Sequence, residues 1–488
     1  MDSTIAANLI WVAAFLVDLG IKVAALIIIP RRRKPSAAMA WLLAIFLIPF
    51  VGIVFFLLIG NFRLPKRRMN EQARINDLIA TRVADAAAGR EPADLPRWFQ
   101  RVVRQNQELT ALPAVTGNDA WLIPDYEASI AEMASAIENA TRFVHVEFYI
   151  VSLDDTTLDF FSAMERAVER GVTVRLLADH VASRRVARAD ETFAELDRIG
   201  VSWSWMLPFM PTKGKYQRPD LRNHRKLVVV DGLVAYVGSQ NLIDRSYNSR
   251  KNIARGLKWQ ELMVRVSGPV VASVNAVFLS DWLIETGELL GDEHVPATAD
   301  SAPRGRLLCQ VVPSGPGYDT ENNLRLFLSL LYGATERVII TSPYFVPDEA
   351  MVYAITTACQ RGLEVQLFVS EIGDQGLVYH AQRSYYGVLL EAGVRIFLYP
   401  EPYILHSKHL SIDDDIAVIG SSNMDIRSFS LNMEVSLLVR GNTFVTAMRR
   451  VEQDYREAGH ELTLEEWRQE PRTATFLDGL ARLTSALN

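Results

Sequence analysis

The sequence predicts an α/β protein of two similar domains, joined in one body about a pseudo-twofold axis and preceded by a two-helix transmembrane hairpin. Three observations predict it. An 18-residue stretch occurs twice, strands and helices alternate in the same order before each copy, and two long apolar runs fill the first 60 residues. A duplicated βα unit implies paired domains with largely parallel sheets.

The apolar runs come first. Asn8 to Ile29 is broken only by Asp18 and Lys22, and Ala37 to Gly60 carries no charge. Hydrocarbon about 30 Å thick needs roughly 20 helical residues, so residues 8–29 and 37–60 are both long enough to span it. Asp18 and Lys22 lie one helical turn apart and can pair, which lowers the cost of burying either. Pro49 kinks the second span without ending it where neighbouring groups satisfy the freed carbonyl. The start, MDSTIAAN, lacks the positive region of a cleaved signal peptide, and a second run follows at once. The linker Pro30 to Ser36 is too short for anything but a hairpin, with both chain ends on one side of the membrane. Arg31, Arg32, Arg33 and Lys34 flank the linker and Arg63, Lys66, Arg67 and Arg68 flank the exit, so the charge bias selects neither orientation.

Residues 61–115 form a basic, partly helical neck, with a faint amphipathic period over residues 70–88. The first catalytic domain is placed at residues 116–300. Its expected elements are a strand over Phe143–Ile150, a helix over Thr157–Arg170, a strand over Val172–Ala178, a helix over Thr192–Ile199 and a strand over Val201–Trp205. The second domain, residues 301–488, repeats the order with Arg337–Phe345, Glu349–Arg361, Leu363–Val369, Leu377–Ala392 and Val394–Leu398, and ends in a helical tail. AVERGVTVRLLAD at 167–179 echoes ACQRGLEVQLFVS at 358–370. The boundary falls in residues 292–304, where Pro, Ala and Asp replace periodic apolar residues.

Composition narrows the function. The chain has 488 residues, 49% hydrophobic and 22% charged, as expected for a folded protein of more than one domain. Two cysteines give neither a disulfide framework nor a zinc site. The formal charge is −6, and setting aside the eight basic residues beside the apolar runs leaves −14 for the rest. The body is therefore a poor partner for nucleic acid, and the positive charge lies where anionic lipid head groups are.

The repeated stretch carries the chemistry. HRKLVVVDGLVAYVGSQN at 224–241 and HSKHLSIDDDIAVIGSSN at 406–423 both fit H-x-K-x4-D-x6-G-S-x-N. His224 and Lys226, like His406 and Lys408, are two apart on an expected strand and share a face. Asp231-Gly232 turns the chain, so Gly238, Ser239 and Asn241 return towards His224; Ser421 and Asn423 do so in the second copy. The hydroxyls and amides suit phosphate oxygens. Each copy supplies one imidazole and one ammonium, whereas cleaving a phosphodiester needs a nucleophile on one side of phosphorus and an acid on the other. Two half-sites together supply both, with Lys226 and Lys408 neutralising the non-bridging oxygens. A carboxylate on the second imidazole nitrogen would fix its tautomer. Glu261 and Glu434, each seven residues before a glycine, are the candidates. Metal binding is not expected, because H-x-K places an ammonium where a second ligand is needed. His145, His180, His294, His380, His409 and His460 are not fixed positions of the motif and are expected to be structural.

This pattern resembles the phospholipase D superfamily, whose signature is the duplicated H-x-K-x4-D followed by G-S-x-N. The resemblance implies two phospholipase-D-type domains, a covalent phosphohistidine on one histidine, protonation of the leaving alcohol by the other, and no cofactor. Carried over, His224 attacks and His406 is the acid, with Lys226 and Lys408 in the same catalytic set. Asp231 and Asp413 belong to that set too, in mainly structural or orienting roles. Within the superfamily the chain is most similar to bacterial cardiolipin synthases. The similarity covers nearly its whole length, including Asp244-Arg245-Ser246 and Asp425-x-Arg427-Ser428 after the motifs; ARGLKWQELMV lengthens the path to Glu261 relative to Glu434. The implied substrate is phosphatidylglycerol among anionic lipids, and the implied location is the bacterial inner membrane, with a multi-pass anchor. A phospholipase D that hydrolyses the intermediate, a transferase using another alcohol, and a nuclease of the superfamily share the motif.

Overall fold

The computed structural model describes residues 3–31, 33, 35–60, 68, 72, 74–75, 95–210, 215–291, 294, 304–318 and 321–484. Most of the expected neck, including its amphipathic period, and most of the expected domain boundary at 292–304 lie outside the described residues.

Helix α1, Ser3–Ile28, is long and apolar enough to cross a membrane over Asn8–Ile28, and Asp18 pairs with Lys22 at 2.7 Å. The second run departs from expectation. It forms two short helices, α2 (Pro35–Leu47) and α3 (Pro49–Ile59), separated at Ile48. The break does more than kink the run. The rings of Trp41 and Phe56 meet at 5.5 Å, and the Arg33 guanidinium lies 4.8 Å from the Phe56 ring centre. Residues fifteen apart on one helix would be separated by about 22 Å, so α3 folds back along α2. Gly52 permits this, since a Cβ there would sit 2.8 Å from the Ala44 carbonyl oxygen. Ala25 of α1 and Ile29 just after it join Ala38, Trp41 and Ile45 in one small core. The expectation of one span over 37–60, kinked but not ended at Pro49, is therefore corrected: Pro49 ends one helix and starts the next, because packing across the fold replaces the continuous helix.

The body is built on one 15-stranded sheet. In chain order its first half has β1 (Val115–Ile123), β2 (Phe143–Phe148), β3 (Thr173–Asp179), β4 (Ser202–Met206), β5 (Lys226–Val230), β6 (Val234–Gly238) and β7 (Met263–Ser267). The second has β8 (Leu307–Ser314), β9 (Arg337–Thr341), β10 (Glu364–Ser370), β11 (Arg395–Tyr399), β12 (His409–Ile412), β13 (Ile416–Gly420), β14 (Glu434–Arg440) and β15 (His460–Leu462). Across the sheet the order is β15-β11-β10-β9-β12-β13-β14-β8-β1-β7-β6-β5-β2-β3-β4. Read outward from the central antiparallel β8–β1 pair, the two halves repeat strand for strand, with β15 added at one edge.

The sheet is mixed where a largely parallel one was expected. Within this sheet only β2–β3–β4 and β9–β10–β11 run parallel, as neighbours joined by helical crossovers can. The strands of the repeated stretch are linked by tight turns and must pair antiparallel, as β5–β6 and β12–β13 do. Both sheet faces are covered, so β2 and β5 are buried at every position, which suits the apolar run in LVVV. Helix α4 (Val270–Thr286) and helix α5 (Asn442–Ala458) follow β7 and β14, and residues of both enter a single core with Val264, Val311 and Leu437 from the two halves. Arg68 pairs with Glu285 of α4, and Gln72 hydrogen-bonds Ser280 at 2.8 Å, tying the neck to the body. The C-terminal tail holds helices, as expected, and also β15.

Candidate active site

His224 lies just before β5, which begins at Lys226, and His406 and Lys408 lie just before β12; each segment is fixed by the other half of the chain. His224 donates its backbone N–H to the Met433 carbonyl at 2.8 Å, and Met433 donates to Arg222 at 2.8 Å. In the second copy Tyr403–Leu405 pairs in parallel with Lys258–Gln260, and the His406 N–H reaches the Gln260 carbonyl at 2.7 Å. This main-chain pairing lays each histidine beside the glutamate that follows the opposite segment. His224 Nδ1 lies 3.0 and 3.1 Å from the carboxylate oxygens of Glu434, and His406 Nδ1 lies 2.7 Å from Glu261. The lengthened path to Glu261 is the strand Lys258–Gln260 that makes this pairing.

The arrangement brings together the expected His224, His406, Lys226, Lys408, Glu261 and Glu434. All six are buried. Both histidines line one cavity of about 330 Å³ with Asn241 and Asn423. Asn241 accepts from the Ile150 N–H at 3.2 Å and donates to the Tyr247 hydroxyl at 2.8 Å, and Asn423 donates to Asp425 at 3.3 Å.

Two expectations change. Ser239 and Ser421, expected at phosphate, lie behind the histidines. Ser239 Oγ accepts from the Leu262 N–H at 2.9 Å, while Ser421 Oγ accepts from the Val435 N–H at 3.0 Å and donates to Glu434. They hold the glutamate segments and do not line the cavity. Asp231 and Asp413 also lie away from it, at the far ends of β5 and β12, roughly 16 Å along the strand from the lysines. Asp231 accepts from the N–H groups of Thr141, Arg142 and Phe143 at 2.8–2.9 Å, and Asp413 from those of Thr335, Glu336 and Arg337 at 2.8–3.2 Å. Both have positive φ, 55° and 47°, at the turn. Each carboxylate ties its hairpin turn to the start of the neighbouring strand and touches no reacting group.

Burial and neighbouring charge set the electrostatics. Burial lowers the Lys226 pKa to about 7 and that of Lys408 to about 8, against the attraction of the glutamates. Burial raises Glu261 to about 7 although Lys408 and Ser239 oppose it. At Glu434 burial is outweighed by His224, Lys226 and Ser421, which hold the carboxylate below its usual value. Burial lowers His224, and burial with Lys408 and Lys226 puts His406 well below its ordinary value. The two halves thus share residues, but their glutamates are shifted in opposite directions.

Several cavity residues escaped the sequence reading. Tyr149 stands edge-on to His224, ring centres 5.0 Å apart, and Tyr344 stands likewise to His406 at 6.0 Å. They sit just beyond β2 and β9, so extending the repeat comparison from the motifs to FYIV and PYFV would have found them. Tyr247, Asp374, Asp425, Arg222 and Arg427 also line the cavity. Of the histidines expected to be structural, His145 is buried on Asn275 at 2.8 Å and His409 on Thr341 at 3.0 Å.

Comparison with known proteins finds the same duplication. Residues 133–282 and 327–455 match the family described as cardiolipin synthase, PLD-like domain, and residues 20–61 match one described as phospholipase D-nuclease N-terminal. The chain is 30% identical to cardiolipin synthase A of Proteus mirabilis, with 94% of each chain covered. It is 34% identical to cardiolipin synthase A of Erwinia tasmaniensis, with 88% of each covered. Among solved structures, phosphatidylserine synthase of Haemophilus influenzae superposes with a TM-score of 0.59 at 14% identity, covering 79% of this chain and 98% of that one.

Proposed function

The chain belongs to the cardiolipin synthase family with phospholipase-D-like domains, and from that premise we infer how its two half-sites transfer a phosphatidyl group. The enzyme is a phosphatidyltransferase that joins two phosphatidylglycerol molecules, giving cardiolipin and glycerol. The observation that carries the mechanism is the crossed pairing of His224 with Glu434 and of His406 with Glu261 around one cavity. It supports reading the halves as related by a pseudo-twofold axis, as does the matching strand order on either side of β8–β1.

The hydrogen bonds favour different roles for the histidines. His224 Nδ1 faces only acceptors, the Glu434 carboxylate and the Ser421 carbonyl at 3.1 Å, so it carries a proton and leaves a lone pair on Nε2. That nitrogen attacks phosphorus, and glycerol's oxygen leaves. His406 Nδ1 lies 2.7 Å from Glu261, whose carboxyl, with its pKa raised to about 7, holds a proton and donates it to Nδ1, which puts the imidazole proton on Nε2. His406 gives that Nε2 proton to the departing glycerol oxygen as the Glu261 proton passes to Nδ1, then takes one from the incoming lipid hydroxyl, which displaces His224 from phosphorus, and returns the Nδ1 proton to Glu261. Lys226 and Lys408 offset the charge on the non-bridging oxygens, and Asn241 and Asn423 orient them.

Membrane placement follows from the fold-back. Helix α1 crosses the bilayer of the bacterial inner membrane, while α2 and α3 enter and return on the side of the body. Arg33 supports this: it touches Phe56 near the end of α3, and its pKa is lowered by burial and by Arg218 of the body. All eight flanking basic residues then share one side, and that side is cytoplasmic.

Supplying phosphatidylglycerol to membranes that contain the protein tests the activity. Cardiolipin and free glycerol are expected, and phosphatidic acid without cardiolipin would overturn the reading.

A further inference from the structure

The reaction brings two phosphodiesters to one enzyme, and the catalytic cavity accounts for only one. The acceptor lipid attacks through a glycerol hydroxyl but keeps its own phosphate, three carbons away, throughout the reaction. A negative charge held that close to the reacting phosphate needs its own cationic surroundings.

A second cavity of about 440 Å³ adjoins the first and shares with it Tyr149, Tyr247, Arg222 and Arg427. Tyr149 stands between the two, so the second cavity opens beside His224. Three guanidinium groups line it: Arg185, Arg222 and Arg427. Arg222 is committed to Asp179 at 3.0 Å and to the Arg218 carbonyl at 3.1 Å. Arg427 donates to the Asp220 carbonyl at 2.8 Å, and among the described residues no carboxylate forms an ion pair with Arg427 or Arg185. Val181, Ala182 and Val186 give the same cavity an apolar part of its wall.

The two halves differ at this point. Arg245, which stands in the first copy where Arg427 stands in the second, pairs with Glu127 at 3.5 Å and lies over the rings of Tyr126 and Tyr403. A symmetric pair of half-sites is thereby given a direction.

We propose that Arg185 and Arg427 hold the retained phosphodiester of the acceptor phospholipid in this second cavity, presenting its glycerol hydroxyl to the phosphatidyl group on His224. The proposal rests on phosphatidylglycerol being the acceptor. Guanidinium forks match phosphate oxygens, and the apolar wall suits the lipid glycerol backbone.

Free glycerol has no phosphate, so it separates this site from the catalytic one. The full-length protein in phosphatidylglycerol vesicles is given labelled glycerol, and both cardiolipin and labelled phosphatidylglycerol are measured. In Arg185→Gln the ratio of cardiolipin formed to glycerol exchanged falls about tenfold, and Arg185→Lys recovers part of it. A ratio equal to that of the unaltered protein would overturn the proposal. Exchange without cardiolipin in the unaltered protein would instead sink the acceptor assignment, and this proposal with it. Inorganic phosphate at millimolar concentration distinguishes a lipid head group from a free anion as occupant. For a head group, phosphate competes with acceptor lipid and leaves glycerol exchange unchanged. A change in exchange that Arg185→Gln abolishes would assign the cavity to a free anion and overturn the proposal.

Discussion

Glu434 holds the imidazole of His224, 210 residues away in the chain, with its carboxylate oxygens 3.0 and 3.1 Å from Nδ1. A glutamate that fixes the tautomer of a nucleophile contributes mostly to turnover. Replacing Glu434 with Gln is expected to lower kcat by about 10²–10⁴-fold with little change in KM. Steady-state kinetics on the folded variant, checked by circular dichroism, decide the matter. A loss confined to KM would mean that Glu434 acts in binding.

The roles assigned to the histidines predict unequal variants. Replacing either by Ala should cost on the order of 10³-fold or more in turnover, since neither half-site is complete alone. Quenching in denaturant at mildly alkaline pH, where a phosphorus–imidazole bond survives, with phosphatidylglycerol labelled in its phosphate separates them. The His406→Ala protein retains label on His224, and the His224→Ala protein retains none. Label found on His406 would reverse the assignment.

How much of this was legible in the sequence depends on what fixes each feature. Residue identities alone expose the two motifs and so His224, Lys226, His406 and Lys408, and the matched spacing of Glu261 and Glu434 before a glycine adds the other two buried groups of the site. The crossing of glutamates was hidden because main-chain pairing of Arg222 with Met433, and of Tyr403–Leu405 with Lys258–Gln260, produces it. Ser239 and Ser421 misled for a similar reason: a hydroxyl suits phosphate, but a neighbouring strand N–H reaches it first. Pro49 marked the break in the second apolar run, and only the contact of Trp41 with Phe56 turns a kink into a fold-back.

Asp231, like Asp413 in the second copy, is a fixed residue of the motif yet acts on stability. In Asp231→Ala the N–H groups of Thr141, Arg142 and Phe143 lose their acceptor, that of Phe143 in a buried strand, and a residue other than Asp, Asn or Gly must take a φ of 55°. The expected loss is about 3 kcal/mol of folding stability, with kcat per folded molecule close to that of the unaltered protein. Thermal denaturation and active-site titration together test this; a large fall in kcat with unchanged melting would make Asp231 catalytic.

The proton shared by Glu261 and His406 predicts the alkaline side of the pH profile. Because the Glu261 pKa is raised to about 7, the acid side of the site loses its proton, and activity falls, as pH rises through that value. The sign for stability follows. A carboxyl group whose folded pKa exceeds its unfolded one stabilises fully below the unfolded value of 4.5, and that contribution disappears as pH rises through about 7. Relative to the unaltered protein, Glu261→Gln therefore gains melting temperature between pH 4.5 and 7 and loses the alkaline limb near 7. An unchanged limb in that variant would assign it to another group.

The fold-back of α3 along α2 reverses what a two-span hairpin predicts about sidedness. Two spans would place residues 3 and 61 on one side and residue 36 on the other. A crossing α1 followed by α2 and α3 that enter and return places residues 36 and 61 together, opposite residue 3. Single cysteines at Ser3, Ser36 and Asn61, in a chain whose Cys359 is replaced and whose Cys309 is buried, can be labelled with an impermeant maleimide on sealed inside-out vesicles. Positions 36 and 61 should label from the cytoplasmic face, and position 3 only after the vesicles are opened. Labelling of 3 and 61 together, with 36 protected, would restore the two-span hairpin. Gly52→Leu gives a second test, because a side chain at position 52 collides with the Ala44 carbonyl and the Ile45 Cα, each 2.8 Å from the Cβ position. It should drive α3 off α2 and move the labelling of position 61, while a variant with the labelling pattern unchanged would show that this contact does not hold the fold-back.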